Sequence, residues 1–469
     1  MNLLFGKLEE IAQWIDGRLY GGDIKQEISN ISTDTRTLEP GAIYFALQGE
    51  SFDGHDFVQQ AWTKGAVAVV VSKQELAGLA NQKRCVIIVK DTLQALQSLA
   101  RNHRLKYNIP VVAITGSNGK TTTKDLLASV LKVKLRVLKT EGNFNNEIGL
   151  PKTLLQLNEE HQAAVLEMGM RGLGQIASLC EIALPKAAII TNIGVTHMEL
   201  LGSVENIAKA KGEILDFIEP QGFCFLNAED QWSQSLKSRC RGRVYFYGFT
   251  EKADVRGVNI KNTAAGTEFT LQIEQQETEV KLPLPGEHNV LNALAAAGVG
   301  WQLGLTLEEI AAGLAKVQLS AMRLSFEPGL RGSMIINDTY NANPDSMKAS
   351  LNILAEKSQK NIAVLGEMRE LGCIAEEGHA AVGRHVAGLK IDYLLTVGSL
   401  GKYIAQGALM AGMAEERIKI CQDTAEAKKC LADLLAPGYM ALVKGSRALK
   451  MEEIVEYVIN CDEVGKNGL

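Results

Sequence analysis

The chain has 469 residues, 46% of them hydrophobic and 22% charged, a globular composition that excludes a long disordered chain. Lysine and arginine number 49 against 54 acidic residues, a net charge of −5, which argues against a broad basic surface and so against nucleic acid as a partner. No apolar run approaches the roughly 18 residues that cross a bilayer, and at roughly 150 residues per domain the length suggests about three domains.

The opening Met1–Gly17 has too short an apolar stretch for a signal peptide and runs straight into helical patterning. Up to residue 84 the pattern is of short pieces: strands over Asn30–Arg36, Ala42–Gln48 and Val67–Val71, with a helix-like Gly54–Lys64. Turn-formers such as Glu39-Pro40-Gly41 and Asp53-Gly54 separate them. Residues 1–84 are therefore expected to form a small α/β domain. From Cys85 the rhythm changes to strands alternating with amphipathic helices. Strands are expected at Val111–Thr115, Arg136–Thr140, Ala163–Met168, Ala187–Gly194 and Gly222–Leu226, and helices near 120–132, 147–157, 174–183 and 203–218. From 244 to 285, strands separated by turns suggest an antiparallel appendage, followed by helices at 287–303 and 306–317. Residues 85–319 thus read as a central, mostly parallel domain. Ser320–Arg323 is a junction. Beyond it, strands at Ser333–Asn337, Asn361–Gly366, Tyr393–Gly398 and Met440–Lys444 restart the alternation, so 320–469 reads as a third, Rossmann-like α/β domain. The eight cysteines are scattered, without a CxxC pair or a histidine at metal spacing. They read as reduced thiols of a cytoplasmic protein, with neither a zinc site nor a disulfide scaffold expected.

The strongest local signal is Thr115-Gly116-Ser117-Asn118-Gly119-Lys120-Thr121-Thr122, between the strand Val111–Thr115 and a helix. Glycines let the backbone curl until its amides face phosphate oxygens; the helix N-terminus and Lys120 add positive charge, and Thr121 offers a hydroxyl for Mg²⁺. The strict phosphate-loop pattern has a glycine five positions before Gly119, where this chain has Ile114, so the loop is a variant. A plain glycine-containing strand–helix turn is the alternative. Hydrolases, motors and ligases all use such loops, so the rest of the domain must name the reaction.

Glu167 ends one strand and His197 follows another, at the carboxyl edge where open α/β sheets bind ligands. Together they suit a divalent metal; singly, each is an ordinary polar loop residue. Lys209 and Lys211 share a helix, and two positions are about 200° apart, so at most one faces the site. A solvated lysine face is the plain reading of both. Asn289, near a helix start, suits either base recognition or a cap. Arg323 and Asp338 reach a nucleotide only if the third domain folds over the second.

Taken together, these pieces resemble the Mur ligases, the ATP-dependent amide-forming enzymes of peptidoglycan assembly, over essentially the whole chain. Four stretches are similar to the family member that adds D-alanyl-D-alanine: Asn337–Met347, Val364–Gly372, Glu167–Gly172 and Lys444–Arg447. The Asn-Pro-Arg signature of the tripeptide-forming relative is absent. The resemblance implies three α/β domains, the central one a phosphate-loop ATPase. It implies ATP and two Mg²⁺ ions as cofactors, and a UDP-N-acetylmuramoyl tripeptide and D-alanyl-D-alanine as partners of a monomer. By the same resemblance Lys120 holds the transferring phosphate, Thr121 and Glu167 one Mg²⁺, and His197 a second with Lys211, commonly carbamylated in the family. Asn289, Arg323 and Asp338 match ATP-contacting positions; Asn143, Asn145 and Asn146 match a segment near the reacting groups. Ser32, Asp34 and Arg36, with Phe52–His55, resemble the UDP-sugar region. Another Mur-type or folylpolyglutamate-type ligase is the nearest alternative; a nucleotide-dependent switch and a Rossmann dehydrogenase fit less of the pattern.

Overall fold

The computed structural model describes residues 5–49 and 51–466, with side chains described as far as residue 460. The start Met1–Leu4 and the side chain of Cys461 therefore lie outside the described residues. The chain divides into two compact units, one from residues 1–113, 135–169 and 174–187, the other from 114–134, 170–173 and 188–469.

In the first unit a five-stranded sheet runs in the order Arg18–Tyr20, Cys85–Ile88, Ala68–Val71, Ala42–Phe45, Asn30–Ser32. All its pairings are parallel except that of Arg18–Tyr20 with Cys85–Ile88. Three of its strands, reading AIYF, AVVV and CVII, are buried at every position, as parallel strands covered on both faces must be. The expected helix Gly54–Lys64 is a 3₁₀ turn, Gly54–Phe57, leading into Val58–Thr63. The helix Thr92–Leu105 starts at Asp91, whose carboxylate accepts the N–H groups of Leu93 and Gln94 at 2.7 and 2.9 Å. Val137–Lys139 and Ala163–Glu167 pair in parallel.

In the second unit, strands run in the order Gln276–Leu282, Gly266–Ile273, Val255–Thr263, Arg243–Gly248, Phe223–Asn227, Ala187–Ile190. The antiparallel part begins at Val255, later than expected: Arg243–Gly248 pairs in parallel with Phe223–Asn227. A six-stranded sheet follows, ordered Ser325–Gly329, Ser333–Asn337, Met440–Lys444, Asn361–Gly366, Tyr393–Val397, Ile418–Cys421, parallel apart from its first strand. Alternate strand residues feed two cores. Ile336, Ala363, Leu365 and Leu394 meet Met347, Leu351, Val382 and Ile404 on one face; Ile335, Ile362, Val364 and Leu395 meet Leu431, Ile454 and Val458 on the other. That double covering makes this part doubly wound. Among the described residues no helix is long and apolar enough to cross a membrane.

Candidate active site

The strand Val111–Thr115, buried throughout, delivers the chain to the phosphate loop, and the helix Lys120–Leu131 leaves it. Gly116 and Gly119 hold φ of +151° and +81°, where side chains are strained. A Cβ on Gly116 would lie 1.8 Å from Thr191 Oγ1, and one on Gly119 2.4 Å from Asn292 Oδ1. The loop is stitched to the segment 191–194. Ser117 N–H donates to Asn192 O at 2.9 Å, Asn118 N–H to Asn192 Oδ1 at 3.0 Å, Thr191 Oγ1 to Asn118 O at 2.5 Å and Gly194 N–H to Ser117 Oγ at 2.8 Å. These bonds explain why the strand expected to reach Gly194 stops at Ile190: residues 191–194 spend their polar groups on the loop.

Two lysines converge on one carbonyl. Lys120 Nζ lies 2.7 Å, and Lys211 Nζ 2.9 Å, from Gly116 O. Lys209 is exposed while Lys211 is 1% exposed, so the plain reading of a solvated face fails for Lys211 and holds for Lys209. Burial pushes the Lys211 ammonium well below the usual lysine range, and the neighbouring charge of Lys120 pushes the same way. Thr121 is buried and accepts from Arg323 Nη2 at 3.2 Å; Thr122 is partly exposed.

His197, held at φ +56°, has Nδ1 2.5 Å from Glu370 Oε2, an ion-pair contact off the line of a good hydrogen bond. Its ring lowers the Glu370 carboxyl below the usual range. Asn118 Oδ1 accepts from Asn343 Nδ2 at 2.6 Å, and Asn343 also caps the helix Pro344–Lys357. Arg323 lies over the Tyr340 ring, 3.9 Å from its centroid. Asp338 is tied into the third set of strands: its Oδ2 accepts from Lys444 Nζ at 2.6 Å and Ser350 Oγ at 2.7 Å. Beside that pair, burial pushes His288 down to about 4, with Lys444 adding and Asp338 opposing. Asn289 is buried and donates to Pro285 O at 2.8 Å, closing the helix start.

The first unit holds the other expected residues. Glu167, 3% exposed, accepts from Asn145 Nδ2 at 2.8 Å through Oε1 and donates its N–H to Thr140 Oγ1 at 3.0 Å. Asn143 O accepts the Asn145 N–H at 2.8 Å, whereas Asn146 Oδ1 caps the helix Gly149–Leu154 by accepting Gly149 N–H at 2.8 Å. Ser32 Oγ donates to Asp34 O at 3.0 Å, and Arg36 Nη2 grips Asp34 at 2.7 Å, which holds the Asp34 carboxyl down to about 2. Nearby, Asp53 accepts from Lys73 at 2.7 Å and contacts buried His55, whose Nε2 accepts Ser72 N–H at 3.0 Å. A cavity of about 250 Å³ opens at the carboxyl ends of two of these strands, lined by Asp16, Arg18, Ser72, Gln74, Ile88, Val89 and Lys90.

Spacing concealed one thiol cluster. Cys421, Glu426 and Cys430 bring three possible ligand atoms within 4.8 Å of one another, although Glu426 already accepts Gln422 N–H as part of a helix start. Sequence reasoning also missed Thr191, Asn192, Glu370 and the packing role of Asn292; each acts through a partner distant in sequence, so no local pattern marks it.

Three family models match in succession: the Mur ligase family catalytic domain over 27–104, the Mur ligase middle domain over 114–300, and the Mur ligase glutamate ligase domain over 322–447. The chain is 39% identical to the UDP-N-acetylmuramoyl-tripeptide–D-alanyl-D-alanine ligase of Bacillus subtilis, over 96% of this chain and 98% of that one. To the enzyme of the same name from Escherichia coli it is 38% identical, over 96% and 97%. Among solved structures, MurF from Acinetobacter baumannii superposes with a TM-score of 0.89 at 34% identity, covering 97% of this chain and 99% of that one. MurF ligase from Thermotoga maritima in complex with ADP gives 0.80 at 28% identity, covering 94% and 98%. Mycobacterium tuberculosis folylpolyglutamate synthase, at 17% identity and a TM-score of 0.62 over 78% of this chain, shares the fold alone.

Proposed function

Because the chain belongs to the Mur ligase family, we propose that it joins D-alanyl-D-alanine to a UDP-N-acetylmuramoyl tripeptide in an ATP-dependent ligation. The product is the UDP-linked pentapeptide of peptidoglycan synthesis. The observation that carries the reading is the near end-to-end similarity to the Bacillus subtilis ligase, since the phosphate loop alone serves many reactions.

A carboxylate is a poor electrophile. Transfer of the γ-phosphoryl group of ATP to the tripeptide's terminal carboxylate gives an acyl phosphate with a good leaving group. The dipeptide amine attacks that carbonyl, and the tetrahedral intermediate collapses with loss of phosphate. Two anions must approach for the first step, so positioning and charge stabilisation dominate. Lys120 is assigned to neutralise the transferring phosphate, a reading supported by its Nζ lying 2.7 Å from the loop carbonyl of Gly116. Excluding water protects the acyl phosphate from hydrolysis.

Thr121 and Glu167 are proposed to hold one Mg²⁺, and His197 with a carbamylated Lys211 a second; the hydroxyl, carboxylate and carbamate oxygens suit this hard cation, and His197 would add a ring nitrogen. When bound, the ions supply further charge stabilisation for the phosphoryl group. The surroundings of Lys211 fit such a role. An ammonium cannot ligate a metal, but burial favours the neutral amine, which adds to CO₂ with loss of one proton to give an anionic carbamate. Asn289, Arg323 and Asp338 are assigned to ATP, and Asn143, Asn145 and Asn146 to the reacting groups. Ser32, Asp34 and Arg36 are assigned to the UDP-sugar. On this reading residues 1–84 hold the nucleotide-sugar, 85–319 the ATP and 320–469 the dipeptide, in a cytoplasmic monomer.

The test is phosphate release from ATP with the UDP-muramoyl tripeptide, without and then with D-alanyl-D-alanine. Release that depends on the dipeptide, with formation of the pentapeptide, is expected. Equal release without it, or a preference for glutamate, lysine or diaminopimelate as the amine, refutes the assignment.

A further inference from the structure

The junction Ser320-Ala321-Met322-Arg323 is fastened at both ends to the helix that leaves the phosphate loop. At one end Asp125 Oδ2 accepts both the N–H and the Oγ of Ser320, each at 2.8 Å, and Lys124 Nζ donates to Ser320 Oγ at 3.3 Å. At the other, Arg323 Nη2 reaches Thr121 Oγ1 at 3.2 Å. Flanking Arg323, Met322 and Leu324 hold φ of +61° and +52°, a conformation non-glycine residues keep only where the surroundings impose it. Lys124 and Asp125 are 0% and 2% exposed and form a 3.3 Å ion pair. A buried pair of this kind adds little net stability over an apolar one, so its usefulness lies in what its polar atoms specify. Here they specify the position of a residue 195 places along the chain.

We propose that Ser320, clamped through its hydroxyl by Asp125 and Lys124, is a positioning residue for phosphoryl transfer: so held, it fixes where Arg323 presents its guanidinium beside Thr121. Residues 320–323 form no regular element, so backbone hydrogen bonding within the segment does not set the direction of Arg323. The fastening at Ser320 contributes, alongside the 3.3 Å bond from Tyr340 N–H to Met322 O and the Tyr340 ring supporting the guanidinium plane. The inference rests on the ligase reading above and adds to it a residue that touches no reacting atom.

The experiment compares wild type, Ser320→Ala, Ser320→Thr, Arg323→Ala and the Ser320→Ala/Arg323→Ala double variant. The readouts are kcat and KM from dipeptide-dependent phosphate release, together with thermal midpoints. Ser320→Ala is expected to lower kcat about ten-fold, the size of one hydrogen bond to a charged group, with KM for the UDP-tripeptide unchanged. Ser320→Thr, which keeps the hydroxyl, should stay within about two-fold of wild type, and the double variant within about two-fold of Arg323→Ala. Multiplication of the two single effects, a Ser320→Ala enzyme at the wild-type rate, or a Ser320→Thr enzyme as slow as Ser320→Ala would each overturn the proposal. A wild-type protein that releases no phosphate with these substrates refutes the ligase reading itself, and that result is visible before any variant is compared.

Discussion

Gly119→Ala isolates what the phosphate loop demands of its backbone. At φ +81° an alanine pays about 1–2 kcal/mol for the left-handed conformation alone. Its Cβ would also stand 2.4 Å from Asn292 Oδ1 and 3.2 Å from Asn292 Cγ and Nδ2, all side-chain atoms. Asn292 must then move by roughly an ångström to reach ordinary contact, breaking the 3.1 Å bond it accepts from Thr123 Oγ1 and the 3.4 Å bond it donates to Asn289. Leaving those buried groups unsatisfied costs about 1–3 kcal/mol. The whole change should therefore destabilise by about 2–5 kcal/mol. In an Asn292→Ala background the obstruction is gone and only the conformational cost remains, so the same substitution should cost about 1–2 kcal/mol there. Urea denaturation of the four proteins, read as a double-mutant cycle, gives the coupling directly. Equal costs in both backgrounds would show that the approach of Asn292 has no part in selecting glycine.

Lys120→Ala should abolish dipeptide-dependent phosphate release; near-normal turnover would remove the phosphate-holding role. Lys211→Ala should lose activity that formate or acetate partly restores by standing in for a carbamate, while Lys209→Ala should match wild type. Asp338→Asn leaves Lys444 buried without its charge partner and should cost about 3–5 kcal/mol by denaturation, whereas Asp338→Asn/Lys444→Met should recover most of it. The folded His288, at about 4, lies below its usual 6.5, so the unfolded chain takes up the proton first as pH falls. Stability should decline through that window, and His288→Gln should flatten that part of a pH–stability curve. An unchanged curve would show that His288 does not contribute there.

Local chemistry was legible in the sequence and long-range stitching was not. The strands Val111–Thr115, Ser333–Asn337, Asn361–Gly366 and Met440–Lys444 fall where their apolar runs predict, because a strand buried on both faces needs only an uninterrupted hydrophobic stretch. Gly116, Gly119 and Lys120, set between a strand and a helix, mark a variant phosphate-loop pattern within a few adjacent residues. By contrast Thr191, Asn192 and Glu370 are ordinary polar residues whose roles come from partners about 74 positions away for Asn192, and across the junction for Glu370. The strand end at Ile190 was missed for the same reason. Beyond Ile190 the expected strand Ala187–Gly194 reads Thr-Asn-Ile-Gly, and its polar groups bond to the loop rather than extend the strand. Asn146 shows the converse limit: an asparagine three residues before a helix interior is as well explained by the cap it forms as by a substrate.

Lys211 marks the boundary between these two kinds of information, because its helix carried a signal that spacing could have exposed. In Val204–Asp216 the buried positions Ile207, Lys211 and Ile214 follow the i, i+4, i+7 stripe of one face, and Ala208, Gly212 and Leu215 widen it. Lys209 falls outside that stripe and Lys211 within it. A lysine in the middle of an apolar stripe loses hydration without a compensating carboxylate, a cost a folded chain avoids by keeping the amine neutral or by using the position for chemistry. Among the described residues its side chain bonds to Gly116 O, a carbonyl it shares with Lys120, so fold stability gains little from a second cation there. The cost of burial separates the two lysines on energetic grounds. It requires Lys211→Met, which fills the stripe without charge, to leave the thermal midpoint equal or higher while turnover falls. A variant both less stable and fully active would show that Lys211 serves packing alone.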